Sequence, residues 1–194
     1  MKILIYKNPE KFSTIVCKKL FIIFFTLTIF ISCDKDTFKG NDQLPPETQI
    51  GANTVGCLVN GKVFIPKQEG ITPSLVCNYE LIDGEFYFNI AYSDSRNGGV
   101  ESVSINHNKI SLQNNTVYLL NKNTLNDGNF MGGGGTYFPT LQNLYRTNLI
   151  KTGELKITKI DLTNSIISGT FWFDATNTNG EIVQVRSGRF DMNY

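Results

Sequence analysis

Residues 153–161, near the C terminus, alternate apolar and polar side chains along the sequence GELKITKID. A period of two residues is typical of a β-strand that buries one face and exposes the other. The alternation predicts that Leu155 and Ile157 face a core while Lys156 remains in water, and the charged Lys159 is expected to remain in water as well. A helical pattern would instead repeat about every 3.6 residues.

Two further strand-like runs, 166–173 and 182–190, follow after short turns at Asn164 and at 177–180. Parallel strands need crossovers of about a dozen residues, usually helical, and these turns leave no room for them. We therefore expect an antiparallel three-strand meander at the C terminus. It predicts an all-β fold, namely an antiparallel β-sandwich, with a β-barrel as the alternative.

Two tight turns indicate hairpins in the N-terminal half of the domain. Asn60-Gly61 and Asp83-Gly84 each separate two β-like runs, and both dipeptides tolerate the positive φ angles of two-residue hairpin turns. Further strands are predicted at 99–106 and 116–120. Together these runs predict one β-domain over residues 51–194.

The glycine run 132–135 is predicted to be a mobile surface loop, because consecutive glycines lose the most entropy on ordering. No Lys-Ser or Lys-Thr pair follows it, which argues against a phosphate-binding loop. Residues 139–149 suit a short helix or a strand, and we favour a strand.

The N-terminal segment 1–32 predicts a secretory signal peptide. Five lysines precede an apolar run over residues 20–31. This run is shorter than the roughly 20 apolar residues of a membrane span, and it matches the apolar region of a signal peptide. An uncleaved signal anchor and a non-lipidated signal peptide are the alternatives to a lipoprotein signal.

The segment Phe30-Ile31-Ser32-Cys33 resembles the lipobox of bacterial lipoproteins. The resemblance implies that Cys33 receives a diacylglyceryl group and becomes the first mature residue, with acyl chains such as palmitate holding it on the membrane. It implies an outer-membrane lipoprotein that faces the periplasm or the cell surface. Asp34 and Asp36 resemble a short acidic export signal of surface lipoproteins.

Residues 33–50 contain Pro45-Pro46 and no apolar period, which predicts a flexible tether after the lipidated cysteine. Four segments resemble a family of Bacteroidota lipoproteins of unknown function. They are LPPETQ at 44–49, GCLVNG at 56–61, ISGTFWF at 167–173 and SGRFD at 187–191. Because that family has no assigned activity, the resemblance implies no catalytic residue.

The charge balance argues against a nucleic-acid partner. Without residues 1–32, the chain keeps 13 of its 18 basic and 16 of its 17 acidic residues, a net charge of about −3. Nucleic-acid binding requires a clustered basic face, and the sequence shows none. The partners that we expect are the membrane, through Cys33, and a glycan or a protein.

Cys57 and Cys77 remain after Cys17 leaves with the signal peptide and Cys33 is lipidated. Each shares a strand face with apolar neighbours, so both can point into the core. Two alternatives stay open: a disulfide, formed in an oxidising compartment, or two buried free thiols.

Catalytic, metal and cofactor sites are not predicted. The chain has a single histidine, His107, in the polar context Asn106-His107-Asn108, which indicates a solvated loop residue. A carboxylate-dependent hydrolase of envelope or dietary glycans is the alternative function, since such enzymes need only two acids across a cleft. The candidate acids lie near strand ends of the meander: Asp161, Asp174, Glu181 and Asp191.

Aromatic side chains are the strongest indication of a binding surface. Trp172 lies between Phe171 and Phe173, so if those two are in the core it either faces outward or covers a second core layer. Tyr137, Phe138 and Tyr145 are further candidates for exposed rings, and packing in the core or at a sheet edge is the alternative to a binding surface. The sequence thus predicts a membrane-anchored, non-enzymatic binding or structural module of the envelope.

Overall fold

The computed structural model describes residues 43–68, 71, 73–96, 100–123 and 130–194. The predicted signal peptide, Cys33 and the tether up to residue 42 lie outside these ranges. Among the described residues, no helix is long and apolar enough to cross a membrane.

The described chain is built from strands, which confirms the all-β prediction. There are eleven: β1 Thr54–Val59, β2 Lys62–Phe64, β3 Leu75–Ile82, β4 Glu85–Asp94, β5 Glu101–Asn108, β6 Thr116–Leu120, β7 Gly132–Thr140, β8 Asn143–Arg146, β9 Gly153–Asp161, β10 Ile166–Thr176 and β11 Ile182–Asn193.

The strands form one sheet in the order β2-β1-β11-β10-β9-β6-β7-β5-β4-β3. Strand β8 pairs with both β7 and β10 and so closes part of this sheet into a small barrel. Strands β2, β1 and β11 extend the barrel on one side, and β5, β4 and β3 extend it on the other. The sandwich and barrel predictions both fit this arrangement.

The predicted C-terminal meander is present as β9-β10-β11. Leu155, Ile157, Phe171 and Phe173 are buried in the core, whereas Trp172 points outward as its position between the two phenylalanines predicts. Local alternation therefore determined which faces of these strands are buried.

Both predicted hairpin turns are confirmed. Asn60 and Gly61 have φ angles of 47° and 81°, and Asp83 and Gly84 have φ angles of 51° and 83°. Two consecutive positive φ angles match the twist of the flanking strands, which is why Asn-Gly and Asp-Gly occupy these turns.

The prediction of a surface loop at the glycine run is wrong, because residues 132–135 lie in β7. A Cβ atom on Gly133 would lie 2.7 Å from His107 Cδ2, and one on Gly135 would lie 2.6 Å from Phe173 Cδ1. The glycines leave room for these two large side chains in the core. Because glycines have no side chains, this run shows no alternation of apolar and polar residues from which a strand could be predicted.

The prediction for His107 is also wrong, since His107 lies in β5 and is only 2% exposed. Its ring meets that of Tyr118 edge to face, with 4.9 Å between the centroids. Burial lowers the pKa of His107 from 6.5 to about 4, so the imidazole is neutral at pH 7.

The contacts of the β-domain extend into residues 43–50, the last part of the predicted tether. Thr48 Oγ1 and the backbone N–H of Ile50 donate to Asp191 Oδ2 at 2.6 and 3.0 Å. Leu44 and Pro45 pack close to Gly56, where an added Cβ would lie 2.9 Å from Pro45 Cδ.

Candidate functional site

The outer face of the meander carries a groove of about 400 Å³ around Trp172. Strands β6, β9, β10 and β11 each contribute an outward-facing side chain because their residues alternate between the two faces. The principal lining residues are Val117, Glu154, Lys156, Thr170, Trp172 and Arg189.

The indole of Trp172 is held at two points. Its Nε1 donates a hydrogen bond to Glu154 Oε2 at 3.3 Å. The guanidinium carbon of Arg186 lies 5.3 Å from the ring centroid, a cation–π contact, and Arg186 is itself paired with Asp174. With these partners in place, 36% of the Trp172 surface remains exposed.

A β-bulge in β11 positions Arg186. Phe171 pairs with Gly188 and Phe173 pairs with Val185, so Arg186 and Ser187 together stand opposite Trp172. Ser187 adopts the left-handed conformation, with φ at 52°. Bulges redirect side chains and are frequent beside functional sites, and this one brings the guanidinium over the indole.

Charges of both signs surround the exposed indole. Lys156 and Arg189 provide two cations, and Glu154 and Glu47 provide two anions. Arg189 Nη1 lies 3.9 Å from Glu47 Oε1. Because the charges balance, the groove suits a neutral ligand that has one apolar face and several hydrogen-bonding groups.

The other three predicted aromatic residues do not line this groove. Tyr145 packs against Tyr137 with 5.9 Å between the ring centroids, and its hydroxyl donates to Glu181 Oε2 at 3.1 Å. Phe138 is half-buried on β7. The sequence therefore predicted one groove residue, Trp172, and could not predict its neighbours from three other strands.

Tyr137 instead lines a second cavity of about 330 Å³, together with Lys62, Lys67, Asp94 and Glu101. Asp94 and Glu101 stand directly opposite each other in the β4–β5 register. The Tyr137 hydroxyl donates to Glu101 Oε1 at 2.6 Å. Burial, and next the bond to Glu101, raise the pKa of Tyr137, so the phenol keeps its proton.

Sequence reasoning missed this pair of carboxylates. The Asp83-Gly84 turn marks where β4 begins. Pairing β4 with the next strand, β5, would then have placed Asp94 opposite Glu101. Hydrogen bonding from the Arg96 side chain lowers the pKa of Asp94, which keeps this carboxylate ionised.

Asp191, the most buried of the four predicted carboxylates, has a structural role as a hydrogen-bond acceptor. Burial alone would raise its pKa, but hydrogen bonds from Thr48, Ile50, Ser168 and Gly51 outweigh burial and lower the pKa to about 2. A general acid must hold a proton near neutral pH, which Asp191 does not.

The other three predicted carboxylates also have partners. Asp161 accepts bonds from the backbone and side chain of Asn164 in a turn, and these lower its pKa. Asp174 pairs with Arg186, and Glu181 accepts a 2.6 Å bond from Asn177 Nδ2. The four acids hold turns and side chains in place.

The two cysteines of the domain, Cys57 and Cys77, are free thiols. Burial raises the pKa of each to about 12, so neither is a thiolate at neutral pH. Within the described ranges, no three His, Cys, Asp or Glu side chains come together as metal ligands.

Residues 95–192 match the family described as Domain of unknown function (DUF6252), which is about half of the chain. The chain belongs to the DUF6252 family. The DUF6252 match includes β5 to β10 and nearly all of β11, so it contains every principal lining residue of the Trp172 groove. No curated protein and no solved structure matches the chain.

Proposed function

We propose that this DUF6252 protein is a lipid-anchored envelope protein whose β-domain binds a saccharide in the Trp172 groove. The observation that carries the proposal is an indole that is held at two points, is 36% exposed, and lies among charges that balance. In this proposal the protein binds the saccharide and does not transform it.

The chemistry of the groove matches that of a neutral sugar. The indole offers a flat apolar surface to the apolar face of a pyranose ring. Glu154, Lys156 and Arg189 surround it with acceptors and donors for hydroxyl groups. Because Glu154 and Arg186 already orient the indole, little side-chain freedom remains to be lost on binding.

The anchor is the second part of the proposal. An acylated Cys33 would stand ten residues before the first described residue, Gln43, and would keep the domain at the envelope. Cells grown with radiolabelled fatty acid are expected to label the protein, and Cys33→Ser to abolish both label and membrane association. Label retained in Cys33→Ser would contradict the anchor but leave the groove untouched.

Saccharide binding can be followed directly, because Trp172 is the single tryptophan of the chain. Titration with a panel of neutral envelope and plant oligosaccharides is expected to shift its fluorescence and to raise the melting temperature. Trp172→Ala should weaken binding, measured by calorimetry, at least about tenfold, the equivalent of 1.4 kcal/mol. Phe138→Ala is the matched control and should bind as the wild type does.

A panel without fluorescence or melting-temperature response would overturn the saccharide proposal. So would a Trp172→Ala variant that binds as tightly as the control.

The second cavity supports one other candidate function, a carboxylate-dependent glycan hydrolase. Asp94 and Glu101 are cross-strand neighbours, and such neighbours have Cβ atoms about 5 Å apart, near the carboxyl spacing of retaining glycosidases. Turnover of an oligosaccharide that Glu101→Gln abolishes, with binding at Trp172 unchanged, would favour the hydrolase. Absence of turnover on the same panel would remove it.

A further inference from the structure

Strand β3 ends the sheet with an open edge. Strand β4 pairs with all eight residues of β3 in an uninterrupted register, and within the described ranges no strand pairs with its other side. The sheet's opposite end is β2, which has only three residues and begins with Lys62. Short strands and lysines protect sheet edges, and β3 has neither.

The hydrogen-bonding groups on this edge can be assigned from the register. The Ser93 N–H donates to the Ser74 carbonyl at 2.8 Å, just beyond the first pair of the β3–β4 ladder. Antiparallel pairs alternate, so the even-numbered residues of β3 bond to β4. The odd-numbered residues direct their N–H and C=O groups to the open edge: Leu75, Cys77, Tyr79 and Leu81.

The outward face next to this edge is apolar at both ends of β3. Val76 is 41% exposed and Ile82 is 48% exposed. Between them lie Asn78 and Glu80, which are also exposed. The strand therefore presents an apolar, polar, polar, apolar sequence of side chains that reads similarly from either end.

We propose that β3 pairs antiparallel with β3 of a second copy of this chain, with Tyr79 opposite Tyr79. This register sets Val76 opposite Ile82 and Asn78 opposite Glu80, twice each because the pairing is symmetric. The Asn78 amide can donate to the Glu80 carboxylate of the other copy. Apolar groups meet apolar groups, and no like charges meet.

The neighbouring registers are less complementary. A shift that centres the pairing on Asn78 sets Val76 against the charged Glu80. A shift that centres it on Glu80 sets two glutamates against each other, which is destabilising. The Tyr79-centred register is therefore the preferred one. An eight-residue strand pair is a small interface, so we expect a weak dimer.

Disulfide trapping tests the register. Even-numbered residues across this edge form non-hydrogen-bonded pairs, whose Cα atoms lie about 4.5 Å apart, within the range of a disulfide. Full-length Asn78→Cys and Glu80→Cys chains are mixed under mild oxidation, and disulfide peptides are identified by mass spectrometry. We expect a 78–80 disulfide in the mixture and no 78–78 or 80–80 disulfide in either variant alone.

Charge substitution tests the same contact without a covalent bond. Asn78→Glu sets two carboxylates against each other at both symmetric positions, and sedimentation velocity should show at least a tenfold weaker dimer. Adding Glu80→Lys should restore the dimer. Asn106→Glu, on the same face two strands from the edge, is the matched control and should leave dimerisation unchanged.

Melting curves establish that each variant is folded. A wild-type chain that stays monomeric up to millimolar concentration would overturn the proposal, as would trapping without a 78–80 disulfide. If β3 pairs with a strand of another protein instead, no 78–80 disulfide should form.

Discussion

Asp191 and His107 are both buried polar residues on core strands, and they differ in their partners. Asp191, on β11, is 1% exposed and accepts five hydrogen bonds, from Thr48, Ser168 and the backbone of 50–52. His107, on β5, is 2% exposed, and its Nδ1 atom has no hydrogen-bond partner among the described residues.

The partners, not the burial, decide which of the two keeps a charge. Burial penalises the charged form of both groups. Five donors compensate Asp191, whose pKa falls to about 2, and it stays ionised. Burial lowers the pKa of His107 to about 4, and the imidazole stays neutral. Asp191 therefore fastens residues 48–52 to β11, whereas His107 packs as a neutral ring against Tyr118 of β6 and beside Gly133 of β7.

Removing the Asp191 carboxylate should have the largest effect. Asp191→Ala removes the shared acceptor of five hydrogen bonds, one of them from the buried Ser168 hydroxyl, and we expect a loss of about 4 kcal/mol in the free energy of unfolding. Urea unfolding measures this loss. Hydrogen exchange should also quicken at the amides of Ile50 and Gly51, which donate to Asp191.

The control for Asp191→Ala is Asp161→Ala, which removes a partly exposed carboxylate from a turn. Its effect should be much smaller, without faster exchange at residues 50–52. Equal losses in the two variants would contradict the role assigned to Asp191.

His107 should make the protein less stable in mild acid. Its pKa is 6.5 when unfolded and about 4 when folded, so between these values the unfolded chain binds a proton that the folded chain does not. The free energy of unfolding should therefore fall as the pH drops from 6.5 to 4, by up to about 3 kcal/mol. Its full value is present above pH 6.5.

Urea unfolding at pH values from 7.5 to 4 tests this, with His107→Leu as the comparison. The variant should lose the His107 part of the slope. Asp191 acts in a separate window, since its contribution disappears only as the pH falls from 3.8 towards about 2. Identical slopes for wild type and His107→Leu would contradict a buried imidazole that is neutral in the folded protein.

Local signals made much of the fold predictable from the sequence. The alternation in 153–157, the two positive-φ turns and the position of Trp172 between two phenylalanines depend on residues a few positions apart, and each matches the structure. Strand pairing that joins distant residues leaves no such local pattern.

The features that sequence reasoning missed all depend on distant neighbours. Position 135 must be glycine because a side chain there would collide with Phe173. Asp191 accepts hydrogen bonds from residues about 140 positions earlier. The groove likewise joins Trp172 to Val117 and Glu47 from other parts of the chain. Only the folded sheet brings these residues together.

Two buried tyrosines test whether the hydrogen-bond partner of a buried hydroxyl determines its contribution to stability, and their expected effects are the smallest. The Tyr79 hydroxyl accepts a 3.0 Å bond from the buried N–H of Leu112. Tyr92 Oη has no partner at ordinary hydrogen-bond geometry among the described residues, and it interacts only weakly with the neighbouring Cys57 thiol, a poor acceptor. Tyr79→Phe should cost about 1 to 2 kcal/mol, because the Leu112 N–H loses its acceptor. Tyr92→Phe should cost nothing, or stabilise by up to about 1 kcal/mol, in the same urea experiment. Equal losses would mean that burial of a hydroxyl matters more here than its partner.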